Sequence, residues 1–315
     1  MTAAQANGRF FGCGTALVTP FNQDGEIDEG ALRALVDWQI DEGVHFLVPC
    51  GSTGEAATMM LYEHRRVVEI VVEQAAGRVP VVAGAGSNDT ARAAHTSKEM
   101  AAAGATHLLH VSPMYNKPPQ RGIVAHFRAI AEGVGLPIIV YNVPGRTGSN
   151  IEAKTTLELA RDPRFVAVKE ASGSLAQITE ILRDRPERFS VLSGDDALTL
   201  PVMASGGDGV ISVTSNVTPR LMAKLVELCA RGEFEEARRL HLKLTPWMSA
   251  AFIESNPMPA KAALAMMGRL QNVLRLPLVP MDQRHVPAVR EALVVAEALD
   301  FEDSASVAGL GAGKR

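Results

Sequence analysis

The sequence predicts an α/β fold: a (β/α)8 TIM barrel over residues 10–231, followed by a C-terminal helical appendix over residues 232–300. Short apolar runs, typical of strands buried on both faces, alternate with segments of helical apolar spacing through the first two thirds of the chain. The strand-like runs number eight, as a closed parallel barrel requires. From Pro219 onward only helical patterns follow, which indicates the last barrel helix and then the appendix.

The predicted elements follow one another without an intervening linker. The strands cover residues 15–18, 44–48, 79–82, 107–111, 137–140, 165–168, 190–192 and 209–212. The helical patterns after them cover residues 219–231, 234–250, 258–267 and 286–299. This alternation favours one barrel over two domains, and a doubly wound sheet is the alternative because sequence alone does not show closure. The tails 1–9 and 303–315 are expected to be disordered, since the second is rich in Gly, Ala and Ser.

Composition excludes several classes of protein. The formal net charge is −4 and basic residues are scattered, so we expect neither a nucleic acid nor a membrane as partner. No run reaches the roughly 18 apolar residues of a membrane span, and the first residues lack the apolar stretch of a signal peptide. Cys13, Cys50 and Cys229 are odd in number and far apart, which argues against a disulfide framework or a zinc site. A reducing, cytoplasmic location is therefore expected.

Lys169 is the first candidate for chemistry. It follows the apolar run 165–168, and the carboxyl ends of barrel strands are where such folds build their active sites. An amine desolvated there is biased toward its neutral form, which can attack a carbonyl carbon and form a Schiff base. The same position also suits a solvated strand end or a salt-bridge partner, so the residue alone does not decide between these interpretations.

Two other strand-end loops carry groups that suit an acidic substrate. After the second strand, Ser52 and Thr53 lie between glycines and offer hydroxyl and backbone N–H donors to a carboxylate or phosphate. Helix capping is the alternative. After the fifth strand, Tyr141 supplies a phenol that can relay protons, and Arg146 follows across a tight turn. A guanidinium can hold a carboxylate through two parallel hydrogen bonds.

Neither a metal nor an organic cofactor is expected. Asp195 and Asp196 follow the seventh strand, but they fit a helix N-terminus better than a metal site. His107 and His110 point to opposite faces of one strand and cannot converge. The glycine-rich stretch 84–87 lacks the spacing of a dinucleotide fingerprint.

Five motifs, in this order, give the chain a clear resemblance. They are GSTGE at 51–55, YNVPGRT at 141–147, VKEAS at 168–172, GVISV at 209–213 and NPMPAK at 256–261. Together they resemble the dihydrodipicolinate synthase / N-acetylneuraminate lyase family of pyruvate-dependent class I aldolases, over nearly the whole chain from about residue 12 to 299. The arginine-containing turn is similar to the synthase branch, since the sialic acid lyase branch lacks that arginine. The proline-rich motif at 256–261 looks structural, with proline starting a helix of the appendix.

The resemblance implies a role for each matching position. Lys169 would form the Schiff base with pyruvate, and Ser52 and Thr53 would hold the pyruvate carboxylate. Tyr141 would shuttle protons, linked through Ser52 to Tyr115. Tyr115 would cross a dimer interface into the neighbouring subunit's site. Ser52 replaces a threonine found in many members and keeps the hydroxyl.

The resemblance also implies the second substrate and the assembly. Arg146 would bind the carboxylate of aspartate semialdehyde, in lysine and diaminopimelate biosynthesis, while Gly194 and Ile211 would shape the pyruvate pocket. The expected assembly is a homotetramer, a dimer of dimers, with no cofactor. A related aldolase for a sugar acid or hydroxy-oxo acid is the nearest alternative. A catalytically silent carboxylate-binding barrel is a lesser one, and a phosphate-binding barrel rests only on the glycine-rich loops.

Regulation by the end product is expected to be weak or absent. Members of the family that lysine inhibits bind it at the dimer interface, and His64 and Asn88 suit that role. Ala56 and Leu61 stand where such members often carry Ser and His. Arg92 stands where a glutamate would pair with the lysine ammonium, so like charges would meet.

Overall fold

Eight parallel strands form the centre of the molecule in the computed structural model, which describes residues 9–299. They are β1 Gly12–Ala16, β2 Phe46–Val48, β3 Val82–Gly84, β4 His107–Val111, β5 Ile138–Asn142, β6 Phe165–Glu170, β7 Ser190–Ser193 and β8 Gly209–Ser212. Their order is β2-β1-β8-β7-β6-β5-β4-β3. An isolated parallel bridge between Leu47 and Val81 joins the two ends of that order. The barrel prediction is confirmed, and the doubly wound alternative is wrong.

Helices follow the strands and then form the appendix. They are α1 Glu29–Asp41, α2 Leu61–Ala75, α3 Thr90–Ala102, α4 Gln120–Glu132, α5 Pro144–Thr147, α6 Ala153–Ala160, α7 Leu175–Asp184, α8 Thr199–Ala204, α9 Pro219–Ala230, α10 Phe234–Ala250, α11 Met258–Met266 and α12 Val286–Val295. Polar N-caps fix several starts; the Asp28 carboxylate, for example, accepts a hydrogen bond from the Ala31 N–H. The second strand loop does not lead directly into a long helix, because a 3-10 turn at Ala56–Thr58 precedes α2.

Strands β5 and β6 run further than the apolar runs that predict them. Tyr141 and Lys169 lie inside these strands, one residue before their ends, and they are register partners. The polar side chains do not end the strands, because the pairing of β5 with β6 continues to Asn142 and Glu170, and that of β6 with β7 to Glu170 and Ser193. Lys169 also pairs in register with Leu192 of β7, so three strands fix its backbone.

Alternation along the strands divides the core into two clusters. The smaller fills the barrel and contains Phe10, Ala16, Phe46, Val48, Val82, Leu109, Ile139, Tyr141, Val143, Ala167, Leu192 and Ile211. The larger lies between the barrel and its helices and includes Val168 and Phe165. Since Ala167 faces the interior and Val168 faces the helices, Lys169 faces the interior again. Phe10 packs its ring against Phe46, with centroids 4.7 Å apart.

The predicted tails lie outside the described residues except for Arg9, whose guanidinium forms an ion pair with Asp208 at 2.9 Å. The three cysteines are free and buried. Within residues 9–299, no helix has both the length and the apolar character needed to cross a membrane. The same residues contain no group of three His, Cys, Asp or Glu side chains placed to hold a metal ion.

Candidate active site

Lys169 is a buried lysine without a carboxylate partner. Its side chain enters the carboxyl end of the barrel, and its Nζ lies 4.3 Å from the centroid of the Tyr141 ring. No ion pair to Lys169 exists among the described residues. Burial lowers the pKa of the amine from 10.5 to about 8; the Asp196 charge opposes this shift and the Arg146 charge adds to it. A sizeable neutral fraction is therefore available near pH 8.

Gly194 forms the wall beside that amine. A Cβ atom at this position would lie 3.1 Å from both Cγ and Cε of Lys169, and 2.7 Å from the Ala171 Cβ. The Gly194 N–H donates to the Glu170 carbonyl at 2.8 Å, which holds the loop against β6. A larger side chain here would displace the lysine stem, so glycine is needed for the observed position of Lys169. Ile211 is fully buried in the interior cluster that contains Tyr141.

The phenol of Tyr141 is held in its protonated form. Burial raises its pKa to about 12, although the positive charge of Arg146 works against this shift. The group can therefore donate a hydrogen bond, or relay a proton, without resting as a phenolate. No hydrogen bond in the described chain joins the Tyr141 hydroxyl to Ser52 or to Tyr115. Ser52 and Tyr115 are both exposed, Tyr115 by 88%.

Thr53 is fixed by a residue from the appendix. It is buried, and its Oγ1 accepts a hydrogen bond of 2.8 Å from the Asn256 amide, 203 residues away in sequence. Neither Ser52 nor Thr53 caps a helix, so the capping alternative is wrong. Asn256 is itself buried, and its Oδ1 has no hydrogen-bond partner. The motif at 256–261 therefore does more than start a helix, because its first residue contacts the candidate carboxylate-binding loop.

Arg146 lies at the rim of the barrel mouth. It belongs to the four-residue helix α5, which starts with a proline and ends at Gly148 in the left-handed region at φ 77°. The guanidinium is exposed and makes a long contact of 3.4 Å with the Asn256 carbonyl. Its charge reaches both Lys169 and Tyr141. An anionic substrate would thus meet a cation before it meets the amine.

Two buried carboxylates near Lys169 were not singled out by sequence reasoning as parts of the site. Glu170 accepts hydrogen bonds from the Asn142 amide at 3.1 Å and from the Ser172 N–H at 2.7 Å. It lies on the outer face of β6, so it orders the strand and is no counter-ion for Lys169. Asp196 accepts from the Val213 and Thr214 N–H groups at 3.0 and 3.1 Å, which joins the β7 loop to the end of β8.

Asp195 caps the 3-10 turn at Asp196–Leu198, because its carboxylate accepts a hydrogen bond of 3.0 Å from the Ala197 N–H. This agrees with the predicted helix N-terminus. His110 points outward to Ser97, with 3.1 Å between Nε2 and Oγ. His107 instead contacts Phe10, with ring centroids 4.8 Å apart. The expected divergence of the two histidines is confirmed.

A family model described as "Dihydrodipicolinate synthetase family" matches residues 9–296. The chain belongs to this family. The 4-hydroxy-tetrahydrodipicolinate synthase of Koribacter versatilis is 55% identical over 86% of this chain and 90% of its own length. The dihydrodipicolinate synthase structure from Aquifex aeolicus is 42% identical, with a TM-score of 0.89 over 92% of this chain and 99% of that one. A family structure from Cyanidioschyzon merolae, with lysine bound, is 42% identical. Its TM-score is 0.90, and the match covers 92% of this chain and 100% of that one.

Proposed function

We propose that this chain is a 4-hydroxy-tetrahydrodipicolinate synthase that condenses pyruvate with aspartate semialdehyde through a Schiff base on Lys169. The observation that carries the proposal is the buried, unpaired amine of Lys169, with its pKa lowered to about 8, at the carboxyl end of the barrel. Membership of the dihydrodipicolinate synthetase family and relatives of that name at about half sequence identity support it. The pathway role follows from the reaction, which commits carbon to diaminopimelate and lysine.

Lys169 carries the covalent intermediates of this reaction, and Tyr141 relays its protons. The neutral Lys169 amine attacks the pyruvate carbonyl, and loss of water leaves a protonated imine. That imine withdraws electrons, so the pyruvate methyl group loses a proton and an enamine forms. The enamine attacks the aldehyde carbon, the amine of the product cyclises onto the imine carbon, and Lys169 leaves. The Tyr141 hydroxyl, protonated because burial raises its pKa to about 12, is placed to pass protons in these steps.

Binding of the two carboxylates is divided between two loops. Ser52 and Thr53 hold the pyruvate carboxylate beside the amine, while Gly194 and Ile211 leave room for its methyl group. Arg146 holds the carboxylate of the semialdehyde at the rim, where its exposed guanidinium can form two parallel hydrogen bonds. This division brings the enamine carbon toward the aldehyde.

The competing activity is the aldol cleavage of a sugar acid, or its formation from pyruvate and a sugar. Arg146 in its Pro-Gly-Arg turn favours the semialdehyde, since a sugar acceptor carries no carboxylate for it to hold. Purified protein is assayed with pyruvate and either aspartate semialdehyde or N-acetylmannosamine. Turnover with the first alone supports the proposal, and turnover with the second alone replaces it with the lyase activity. An inert protein that still binds pyruvate would be a silent carboxylate-binding barrel.

We also propose a cytoplasmic homotetramer, built as a dimer of dimers, in which Tyr115 completes the partner's site. The phenol is 88% exposed in one chain, and the backbone of Tyr115 is held at φ 71°, outside the conformations that most residues adopt. Such a side chain suits contact with a second copy. Tyr115→Phe and Lys169→Ala subunits, each inactive alone, are mixed and reassembled. Partial recovery of activity supports the exchange, and no recovery after proven exchange of subunits contradicts it.

A further inference from the structure

A second buried lysine, Lys261, lies behind the candidate carboxylate-binding loop. Its Nζ is 2.5 Å from Glu55 Oε1, and both side chains are fully inaccessible. The same Nζ donates to the Val273 carbonyl at 2.8 Å and lies 4.2 Å from the centroid of Phe21. Glu55 is only two residues after Thr53, so this ion pair ties helix α11 to the loop that carries Thr53.

The loop itself is held in an uncommon conformation. Glu55 has φ 56°, in the left-handed region where a non-glycine residue needs support from its surroundings. Support comes from the ion pair and from a hydrogen bond of 3.0 Å, which the Arg275 N–H donates to Glu55 Oε2. The Arg275 guanidinium in turn donates to both oxygens of Glu63, at 3.0 and 2.6 Å. The appendix therefore contacts both oxygens of the Glu55 carboxylate.

The same helix delivers the group that contacts Thr53. Asn256 precedes α11 and lies five positions before Lys261, so fixing Lys261 on Glu55 also fixes where Asn256 can reach. Its amide donates to Thr53 Oγ1 at 2.8 Å, and its carbonyl accepts from Arg146 at 3.4 Å. One rigid element thus touches both of the loops that hold carboxylates in the proposed reaction.

We propose that Glu55 and Lys261 are positioning residues for the reaction: their ion pair sets helix α11 so that Asn256 holds the Thr53 hydroxyl toward pyruvate. This inference rests on the proposed function. Neither residue touches substrate, and their effect passes through Asn256 and Thr53. A displacement on the order of 1 Å at a substrate-holding group can change rate or affinity by up to about 100-fold.

The test compares KM and kcat across a small set of variants. Lys261→Met removes the tether and leaves a buried carboxylate uncompensated, so the double variant Glu55→Gln/Lys261→Met is the main probe, because it removes both charges. We expect KM for pyruvate to rise about tenfold in the double variant, with kcat within about threefold of the parent. Glu55→Asp, which keeps the charge but shortens its reach, is expected to raise KM in the same direction. A KM within about twofold of the parent in both probes overturns the proposal.

A matched control separates positioning from general loss of stability. Arg185 forms a similarly buried ion pair with Asp208, which directly precedes β8 and so lies at the opposite end of the barrel. Arg185→Met is expected to lower resistance to urea while leaving KM for pyruvate unchanged. Equal increases of KM in this control and in the probes would show a merely structural role.

A double-mutant cycle then tests the route of the effect. If the ion pair acts through Asn256, Asn256→Ala should change KM for pyruvate strongly in the parent and by less than about twofold in the double variant. Additive changes would contradict that route. Borohydride trapping of pyruvate on the parent enzyme distinguishes failure of this inference from failure of the proposed function. Absence of a Lys169 adduct contradicts the proposed function itself. An adduct together with additive changes of KM in the cycle contradicts only the positioning role.

Discussion

Lys169 and Lys261 are both buried lysines, and their surroundings differ in one respect that decides what each can do. Burial lowers the pKa of each amine to about 8. Lys261 lies 2.5 Å from a carboxylate, and it donates to a backbone carbonyl. Lys169 has no carboxylate at ion-pair distance within residues 9–299, and its Nζ faces an aromatic ring. A lowered pKa therefore does not identify a nucleophile by itself; within residues 9–299 the two amines are distinguished by the carboxylate paired with Lys261 and not with Lys169.

The two environments also differ in what surrounds them. The Gly194 backbone packs closely against the stem of Lys169, where a Cβ atom would lie 3.1 Å from its Cγ and Cε. Lys261 lies in the region where α11 packs against the barrel, with Phe21 on one side and Val273 on another. The first amine points into the carboxyl end of the barrel, the end at which barrel enzymes bind their substrates. The second is completely enclosed and serves to connect segments of the chain.

The largest expected effect concerns the covalent adduct. Borohydride reduction in the presence of pyruvate should add one pyruvate-derived mass to the peptide that contains Lys169, and none to the peptide that contains Lys261. Lys169→Ala should abolish the labelling and reduce turnover by about 10³-fold or more, because the only other buried lysine within residues 9–299, Lys261, is paired with Glu55. Mass spectrometry of the digested protein checks both statements. An adduct on Lys261, Lys117 or Lys154 would show that Lys169 is not the residue that forms the Schiff base.

The next effect is on stability, and it should have opposite signs at the two lysines. Lys261→Met leaves Glu55 buried without its partner and is expected to lower the free energy of unfolding by about 3–5 kcal/mol. Lys169→Met replaces an unpaired buried amine and is expected to be neutral or stabilising by on the order of 1 kcal/mol at pH 7. Urea denaturation at one fixed protein concentration measures both changes.

The change in the free energy of unfolding caused by Lys169→Met should depend on pH. Its pKa is lowered on folding from 10.5 to about 8, so the penalty for the charged amine is fully present below pH 8. Between about pH 8 and 10.5 the unfolded chain binds more protons, and that penalty disappears as pH rises. The advantage of Lys169→Met should therefore shrink across this window. An advantage that grows with pH would mean that Lys169 gains a partner on folding.

A smaller effect is expected at Arg146, whose charge acts on Lys169. Arg146→Ala should lower kcat/KM for aspartate semialdehyde roughly 30- to 150-fold. This corresponds to about 2–3 kcal/mol of transition-state stabilisation lost with a charge-assisted contact. The Lys169 adduct with pyruvate should still form. Because the Arg146 charge helps to lower the pKa of Lys169, its removal should move the rising limb of the pH profile for adduct formation to higher pH. Unchanged kinetics with the semialdehyde would remove Arg146 from the site and favour the sugar-acid alternative.

The comparison also shows what the sequence can reveal. Lys169, Tyr141 and Arg146 could be singled out because local patterns place them: an apolar run predicts the strand, and parallel strands end at one face of a barrel. The bounds of β4 and β8 match the predicted runs for the same reason. Tyr141 and Lys169 end up within strands because ladder pairing with neighbours, which no local pattern reports, continues past them.

The partners of Lys261 could not be predicted in this way. The contact between Asn256 and Thr53 spans 203 residues, and the ion pair between Lys261 and Glu55 joins the same two segments. Such pairings depend on how the appendix packs on the barrel, and a proline-rich helix start gives no sign of it. Glu55 and Lys261 each end a motif that the resemblance singled out, at 51–55 and 256–261, but neither motif indicates that the two side chains pair.

The smallest expected effect applies the same rule to free L-lysine. Like the Lys261 amine, which is paired with Glu55, a bound lysine ammonium is stabilised by a nearby carboxylate. Arg92, where lysine-binding members of the family would carry a glutamate, is exposed in the first turn of α3 and presents a cation instead. His64 and Asn88 already have partners within the chain: the imidazole Nε2 is 2.8 Å from the Gly84 carbonyl, and the Asn88 amide donates to the Met114 carbonyl at 3.2 Å.

We therefore expect L-lysine to leave activity nearly unchanged up to about 1 mM at neutral pH, since like charges meet where attraction is needed. Titration of lysine against turnover measures this. Arg92→Gln removes the repulsion and Arg92→Glu adds the missing attraction, so the half-inhibitory concentration should fall from the parent to the first variant and again to the second. Half-inhibition of the parent below about a millimolar, with no further change in Arg92→Glu, would show that Arg92 turns away from the ligand and that the pocket finds its counter-charge elsewhere.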